Sequence, residues 1–166
     1  MRRATGFDVA LTHIRLSTLD FSEAELGQVR RARLLLAQVS ASALEAEAYA
    51  VLHRTSEADN LRRLVGLLDV GRIEVRSSPL GGWSPDFTIF DDETGPFAIL
   101  IGPHRFDRGA LYDGPEWASL HGRDAATLAA LRFREIWDRA HDISPAILGL
   151  MARADRRSTL SLKAED

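Results

Sequence analysis

The sequence predicts an α/β fold, a mixed sheet flanked by helices on both faces. Three observations carry that reading. Strand-like and helix-like patterns alternate over residues 7–78. Two apolar runs, 85–91 and 96–102, are joined by the polar turn Asp92-Glu93-Thr94-Gly95. A long helical pattern follows at 124–141. Strands separated by amphipathic helices bury their faces by layering helices onto a sheet.

The first strand is expected within 7–18, where β-branched residues mix with apolar–polar alternation. A helix is expected next. Ser22 and Glu25 have capping-box spacing, with Phe21 and Leu26 at the staple positions. Leu26, Val29, Ala32, Leu36 and Val39 then form one apolar face. Residues 40–54 suit either state: alanine and glutamate favour helix, whereas the run at 47–53 resembles a buried strand and is taken as one. Ser56 opens a second helix with Leu61, Leu64, Val65 and Leu68 facing inward and Gly71 as its C-cap. Residues 72–78 alternate as a strand, and 79–83 form a short connection before the hairpin. Residues 103–123 are rich in Gly, Pro, Asp and His and are expected to form a loop. Asp124 is expected to cap the following helix, with Leu128, Leu131, Ile136, Trp137 and Ala140 on its inner face. Ser144-Pro145 opens a short last helix bearing Ile147, Leu148 and Met151. Residues 1–155 are expected to form a single domain and 156–166 a polar C-terminal tail.

Composition narrows the function. The 166 residues carry 45% hydrophobic and 27% charged side chains, with a net charge of −3. Such a balance leaves no bulk basic footprint for nucleic acid. There are no cysteines, which excludes disulfides, thiolate nucleophiles and Cys-ligated zinc. No apolar run approaches the roughly 20 residues of a membrane-spanning helix. The basic N-terminus lacks the apolar core of a secretory signal, so a cytoplasmic location is expected. Lys163 is the only lysine, so any phosphate or carboxylate would be met by an arginine fork. No G-x-G-x-x-G or Walker A pattern is present, and no cofactor is expected.

The segment Ser84–Gly109, SPDFTIFDDETGPFAILIGPHRFDRG, resembles the signature hairpin of the phospholipase D superfamily. In that family H-x-K-x4-D leads into a second strand ending in G-S-x-N. Here Ser84 falls at the histidine, Asp86 at the lysine and Asp91 at the aspartate. Gly102 matches the corner glycine, Pro103 replaces the serine and Arg105 the asparagine. The resemblance covers 56–110 and implies a single repeat of that fold. It implies a homodimer as well, because a single repeat in the family completes its site across a two-fold. The departures remove the family's chemistry. A serine without an adjacent base is a poor nucleophile, and a carboxylate at 86 repels a phosphate. The expectation is a non-catalytic module that binds a small anionic ligand or a protein partner at this corner. A divergent phosphodiesterase using His104 and Arg105 is one alternative. A scaffold using the helices at 124–152 is another.

The candidate ligand-binding residues are therefore Ser84, Asp86, Asp91, His104 and Arg105. Arg105 offers a bidentate fork to an anion, and His104 is a candidate general base. His104, His121 and His141 match no local zinc spacing, and no metal site is expected. Ser119 lacks the glycines of a nucleophile elbow.

Overall fold

A computed structural model describes residues 4–11, 30–37, 65–78, 86–102, 119–150 and 152–153. The centre is a seven-stranded mixed sheet. Its strands are β1 (Gly6–Leu11), β2 (Arg31–Ala37), β3 (Ile73–Ser78), β4 (Asp86–Asp92), β5 (Gly95–Ile101), β6 (Ser119–His121) and β7 (His141–Asp142). They lie in the order β6-β5-β4-β1-β2-β3-β7. β1, β2 and β3 run parallel, while β4, β5, β6 and β7 are each antiparallel to their neighbours.

The expected helix over 22–39 is overturned in its second half: residues 31–37 are β2. Ala32, Leu34 and Leu36 point to one face, Leu35 and Ala37 to the other, and all five are buried. A parallel strand covered on both faces needs apolar residues at successive positions, which blurs the two-residue period. Three consecutive leucines satisfy a helical template by chance, and pairing with β1 and β3 decides the outcome. The Ser22–Glu25 capping box, the strand proposed at 47–53 and the tail at 156–166 lie outside the described residues.

One face of the sheet is covered by the helix α1 (Arg123–Trp137). Ala126, Ala130, Phe133, Ile136 and Trp137 pack on Ala10, Leu35, Ile89 and Ile99, with Phe87 beside them. Small residues at 126 and 130 let the helix start lie close to the sheet, and the two large rings fill its far end. Phe133 and Trp137 stack at 5.5 Å, and Phe87 meets Phe133 edge-on at 6.4 Å. The opposite face, lined by Val9, Leu34, Leu36, Ile73 and Val75, is equally buried.

Several expectations about α1 change. Gly122, not Asp124, is its N-cap residue, and no side chain caps it. The helix stops at Trp137 rather than 141. Leu128 and Leu131 face away from the sheet, at 73% and 55% exposure. The inner stripe is set by the alanines and aromatics, on the side of the helix opposite the leucines. Residues 119–121, expected in a loop, form the edge strand β6. His141 and Asp142 form β7 rather than a helix end. The backbone N–H of Ser144 donates to the Asp142 carboxylate at 2.9 Å, while the Ser144 hydroxyl accepts from the N–H of Val75 at 2.9 Å. The last helix thus starts tied to β3, and Ile147 is buried as anticipated. Gly71 ends its helix with φ 68°, its N–H donating to the Leu68 carbonyl at 3.0 Å.

Phe133→Ala should lower the unfolding free energy by about 3–5 kcal/mol, the usual cost of emptying a buried aromatic site. Leu131→Ala, on the outer side of the same helix, should change it by less than about 0.5 kcal/mol in dilute solution. Urea unfolding of the two variants beside the parent chain separates the faces.

Candidate functional site

The β4–β5 hairpin closes through a two-residue loop, with Asp92 opposite Gly95. Asp92 Oδ1 accepts from the Thr94 N–H at 2.8 Å and from its hydroxyl at 2.6 Å. Gly95 has φ 101°, a value that disfavours any side chain. At the other end Gly102 has φ 129°, and its N–H donates to the Asp86 carbonyl at 2.8 Å. The start of β4 and the exit of β5 therefore meet at one corner.

That corner has a defined place in the sheet. Asp86 pairs with Leu11, the last residue of β1. The corner thus lies at the carboxyl ends of the parallel strands, beside the point where the sheet changes from parallel to antiparallel. In open α/β sheets ligands bind outside the carboxyl ends of the strands where the connection order reverses.

Of the residues anticipated for the site, Asp86 is at this corner. Ser84, His104 and Arg105 lie outside the described residues. Asp91 is not brought to the corner. It is five residues further along β4, roughly 17 Å at the usual strand rise. His121 and His141 stand on β6 and β7, the two opposite edges of the sheet, and cannot share a metal. His121 Nε2 is instead 2.9 Å from the Ser119 hydroxyl. Among the described residues no group of three His, Cys, Asp or Glu side chains could hold a metal ion.

Asp91 joins a second cluster, under the C-terminal half of α1. Asp8 is almost wholly buried and accepts a two-pronged pair from Arg33, with Nε to Oδ1 at 2.7 Å. Arg31 bridges the two acids, with Nη2 2.7 Å from Asp91 Oδ2 and 3.5 Å from Asp8 Oδ1. The Arg33 guanidinium lies 5.2 Å from the Phe133 ring centre and 5.5 Å from that of Trp137. Arg76 lies 4.8 Å from the Trp137 ring and donates to the Trp137 carbonyl at 3.0 Å. A guanidinium at the final carbonyls also complements the helix dipole. Arg76 is held in turn by Glu74 at 2.7 Å.

Close approach makes this cluster possible. A Cβ on Gly6 would come within 2.1 Å of Asp91 Oδ1, so the carboxylate occupies the space a side chain would fill. Burial pushes the Asp91 carboxyl above its ordinary value of 3.8, with the Asp8 charge adding and Arg31 and Arg33 opposing. Desolvation therefore outweighs the direct pull of the arginine. No buried side-chain polar atom among the described residues lacks a partner. Guanidiniums satisfied by carboxylates have little left for an incoming anion, and the cluster acts as a tie between strands and helix. Sequence reasoning passed over Asp8, Arg31 and Arg33. The available signal was charged residues at alternating positions inside apolar strand runs.

No protein-family model and no curated protein matches the chain. Solved structures do. The chain is similar to Nuc from Salmonella typhimurium, a phospholipase D family member, at 10% identity and a TM-score of 0.44, over 84% of this chain and 82% of that one. It is also similar to NucT from Helicobacter pylori at 8% identity and a TM-score of 0.42, over 82% and 81% of the two chains. At these identities the likeness is one of fold alone.

Two outcomes follow from the charged cluster. Gly6→Ala should destabilise the chain by forcing the Asp91 carboxylate off Arg31. The loss should be smaller in an Asp91→Ala background, where the obstructing atoms are absent, and a double-mutant cycle measures the difference. Because the folded pKa of Asp91 is raised, its contribution is fullest below 3.8 and is lost as pH rises through the folded value. The parent chain should therefore gain stability over Asp91→Asn as pH falls from neutrality toward 3.8. Urea midpoints of both proteins across that range provide the check.

Proposed function

We propose that this chain is a non-catalytic α/β domain of phospholipase-D-like type, binding a small anionic ligand or a partner at the corner of its β4–β5 hairpin. The observation that carries this reading is the bond from the Gly102 N–H to the Asp86 carbonyl, at 2.8 Å. It joins Asp86, at the start of β4, to Gly102, at the exit of β5; in the sequence Ser84 stands two residues before the first and His104 and Arg105 follow the second. Their junction is at the carboxyl ends of β1, β2 and β3, the favoured ligand position in such sheets.

The residue types argue for binding rather than covalent chemistry. Ser84 and Asp86 replace the nucleophilic histidine and the cationic lysine of the resembled motif. A carboxylate at 86 opposes the charge build-up of phosphoryl transfer. Arg105, two residues past the Pro103 that follows the corner glycine, supplies the fork suited to a phosphate or carboxylate. A homodimer belongs to the same reading, as an implication of the resemblance. So does a cytoplasmic location. No helix among the described residues is long and apolar enough to cross a membrane.

A thermal-shift panel of phosphate, sulfate, nucleotides and phosphosugars tests the reading on the parent chain and Arg105→Ala in parallel. A ligand at about 100 times its dissociation constant should stabilise the parent by roughly 2.7 kcal/mol. That shift should vanish in Arg105→Ala. Hydrolysis of a simple phosphodiester, abolished by His104→Ala, would overturn the non-catalytic assignment. No shift with any anion would remove the ligand reading.

A further inference from the structure

Ser119 and His121 form a pair that the hairpin corner does not use. They stand two residues apart on β6, so their side chains share a face of the sheet. In the strand register His121 is opposite Ile99 and Ser119 is opposite Ile101. Ile99 is packed under α1, so the pair is on the α1 side of the sheet. Both residues are exposed, and His121 Nε2 is 2.9 Å from the Ser119 hydroxyl. With its hydrogen on Nδ1, the imidazole accepts the hydroxyl proton at Nε2. Two other hydroxyls are placed differently. Thr127 donates to the Arg123 carbonyl at 2.8 Å, and Ser144 donates to the Val75 carbonyl at 3.3 Å. A backbone carbonyl cannot take up the proton, whereas an imidazole can.

The surroundings suit a small apolar group. β6 is the outer strand of the sheet, so Ser119 is reached from the side and needs no elbow. Ile101, directly opposite Ser119, is 44% exposed and offers an apolar contact. An open cavity of about 340 Å³ begins at His121 and continues over Gly122, Arg123, Asp124 and Ala125. One arginine and one aspartate in that lining balance each other, which favours an uncharged substrate. The first bond inside α1 runs from the Ala126 N–H to the Gly122 carbonyl, at 3.1 Å. The N–H groups just before it stand outside the helix ladder, where they can meet an oxygen that turns negative.

We propose that Ser119, activated by His121, is a covalent acceptor for a short acyl group carried by a small, uncharged, activated carboxylic ester. Ser119 Oγ attacks the carbonyl carbon, and its proton passes to His121 Nε2. The Oγ–carbon bond forms, the ester carbon–oxygen bond breaks, and the departing oxygen keeps the bonding pair. A basic leaving oxygen then takes the proton from His121; a weakly basic one leaves as an anion, and the proton passes to water. Among the described residues no carboxylate orients His121 as the third member of a triad would. The pair is thus equipped to accept one acyl group rather than to turn over, and the domain stays non-catalytic. The step uses no residue of the Asp86–Gly102 corner, so it stands whether or not that corner binds an anion.

Treating the full chain with p-nitrophenyl acetate at neutral pH tests this, read by p-nitrophenolate absorbance and by mass spectrometry. The background is low, because the sequence has no cysteine and a single lysine, Lys163. One equivalent of p-nitrophenolate should be released per chain, and one acetyl group should appear on the tryptic peptide that carries Ser119. Ser119→Ala should lose both signals. His121→Gln should acylate about 100-fold more slowly, the usual scale of a general base. Thermal melts of both variants should match the parent, because both positions are exposed. An acetyl group on Lys163 or the N-terminal amine alone overturns the proposal. So does release that persists in Ser119→Ala, or labelling of Ser119 at the parent rate in His121→Gln. Release that continues past one equivalent and needs both residues overturns the restriction to a single acylation.

Discussion

The buried pair between Asp8 and Arg33 is the constraint around which the rest of the fold is arranged. Two charges removed from water are costly, and losing one partner of such a pair typically destabilises by about 3–5 kcal/mol. Asp8 is on β1 and Arg33 on β2, directly opposite in the parallel register. A slip of either strand by one residue would send its member of the pair to the other face, into the apolar layer of Val9, Leu34 and Val75, and leave its partner buried alone. The pair thus specifies the register of the two central strands. It also specifies what can lie above them, because the Arg33 guanidinium needs a surface that tolerates a cation. The rings of Phe133 and Trp137 provide it.

The consequence extends outward in both directions. Arg31 links Asp8 to Asp91 and so connects β2, β1 and β4. Arg76 takes the other side of Trp137 and the helix's terminal carbonyl, which connects β3 to α1. Arg123, at the start of the helix, donates to the Thr94 hydroxyl at 3.1 Å. The helix is therefore tied at one end to the hairpin turn and at the other to the parallel strands. The Asp86–Gly102 corner lies at the hairpin's opposite end and is positioned by this frame without belonging to it.

Much of this was legible in the sequence, and the part that was not has a physical reason. The hairpin was readable because its two strands alternate around a polar turn, so local chemistry and tertiary outcome agree at Asp92, Thr94 and Gly95. Gly71 and Ile147 were readable for the same reason. Residues 31–37 were misread because a strand buried on both faces has lost the alternation that marks strands. The inner face of α1 was misread because leucine is the more apolar residue, yet the sheet admits alanine where the helix approaches closest. For the candidate site, the Asp86 corner follows from hairpin spacing, whereas the Asp8–Arg33–Arg31–Asp91 cluster joins residues up to 83 positions apart, from 8 to 91. No local pattern encodes such a meeting. Charged residues at alternating positions in apolar runs were its only trace.

The sheet is also notable for how it ends. Its outer strands are β6, of three residues, and β7, of two, and β7 passes at once into a helix. Long, flat edges are templates on which foreign strands add, the usual first step toward ordered aggregates. Edges this short present only a few unpaired peptide groups to a passing chain. β6 covers only Ile99, Leu100 and Ile101 of β5, so the brevity of the outer strands limits what those strands themselves offer to a foreign one. An apolar sequence such as Ala32 to Ala37 would be hazardous if exposed, and it is kept two strands in from the β7 edge.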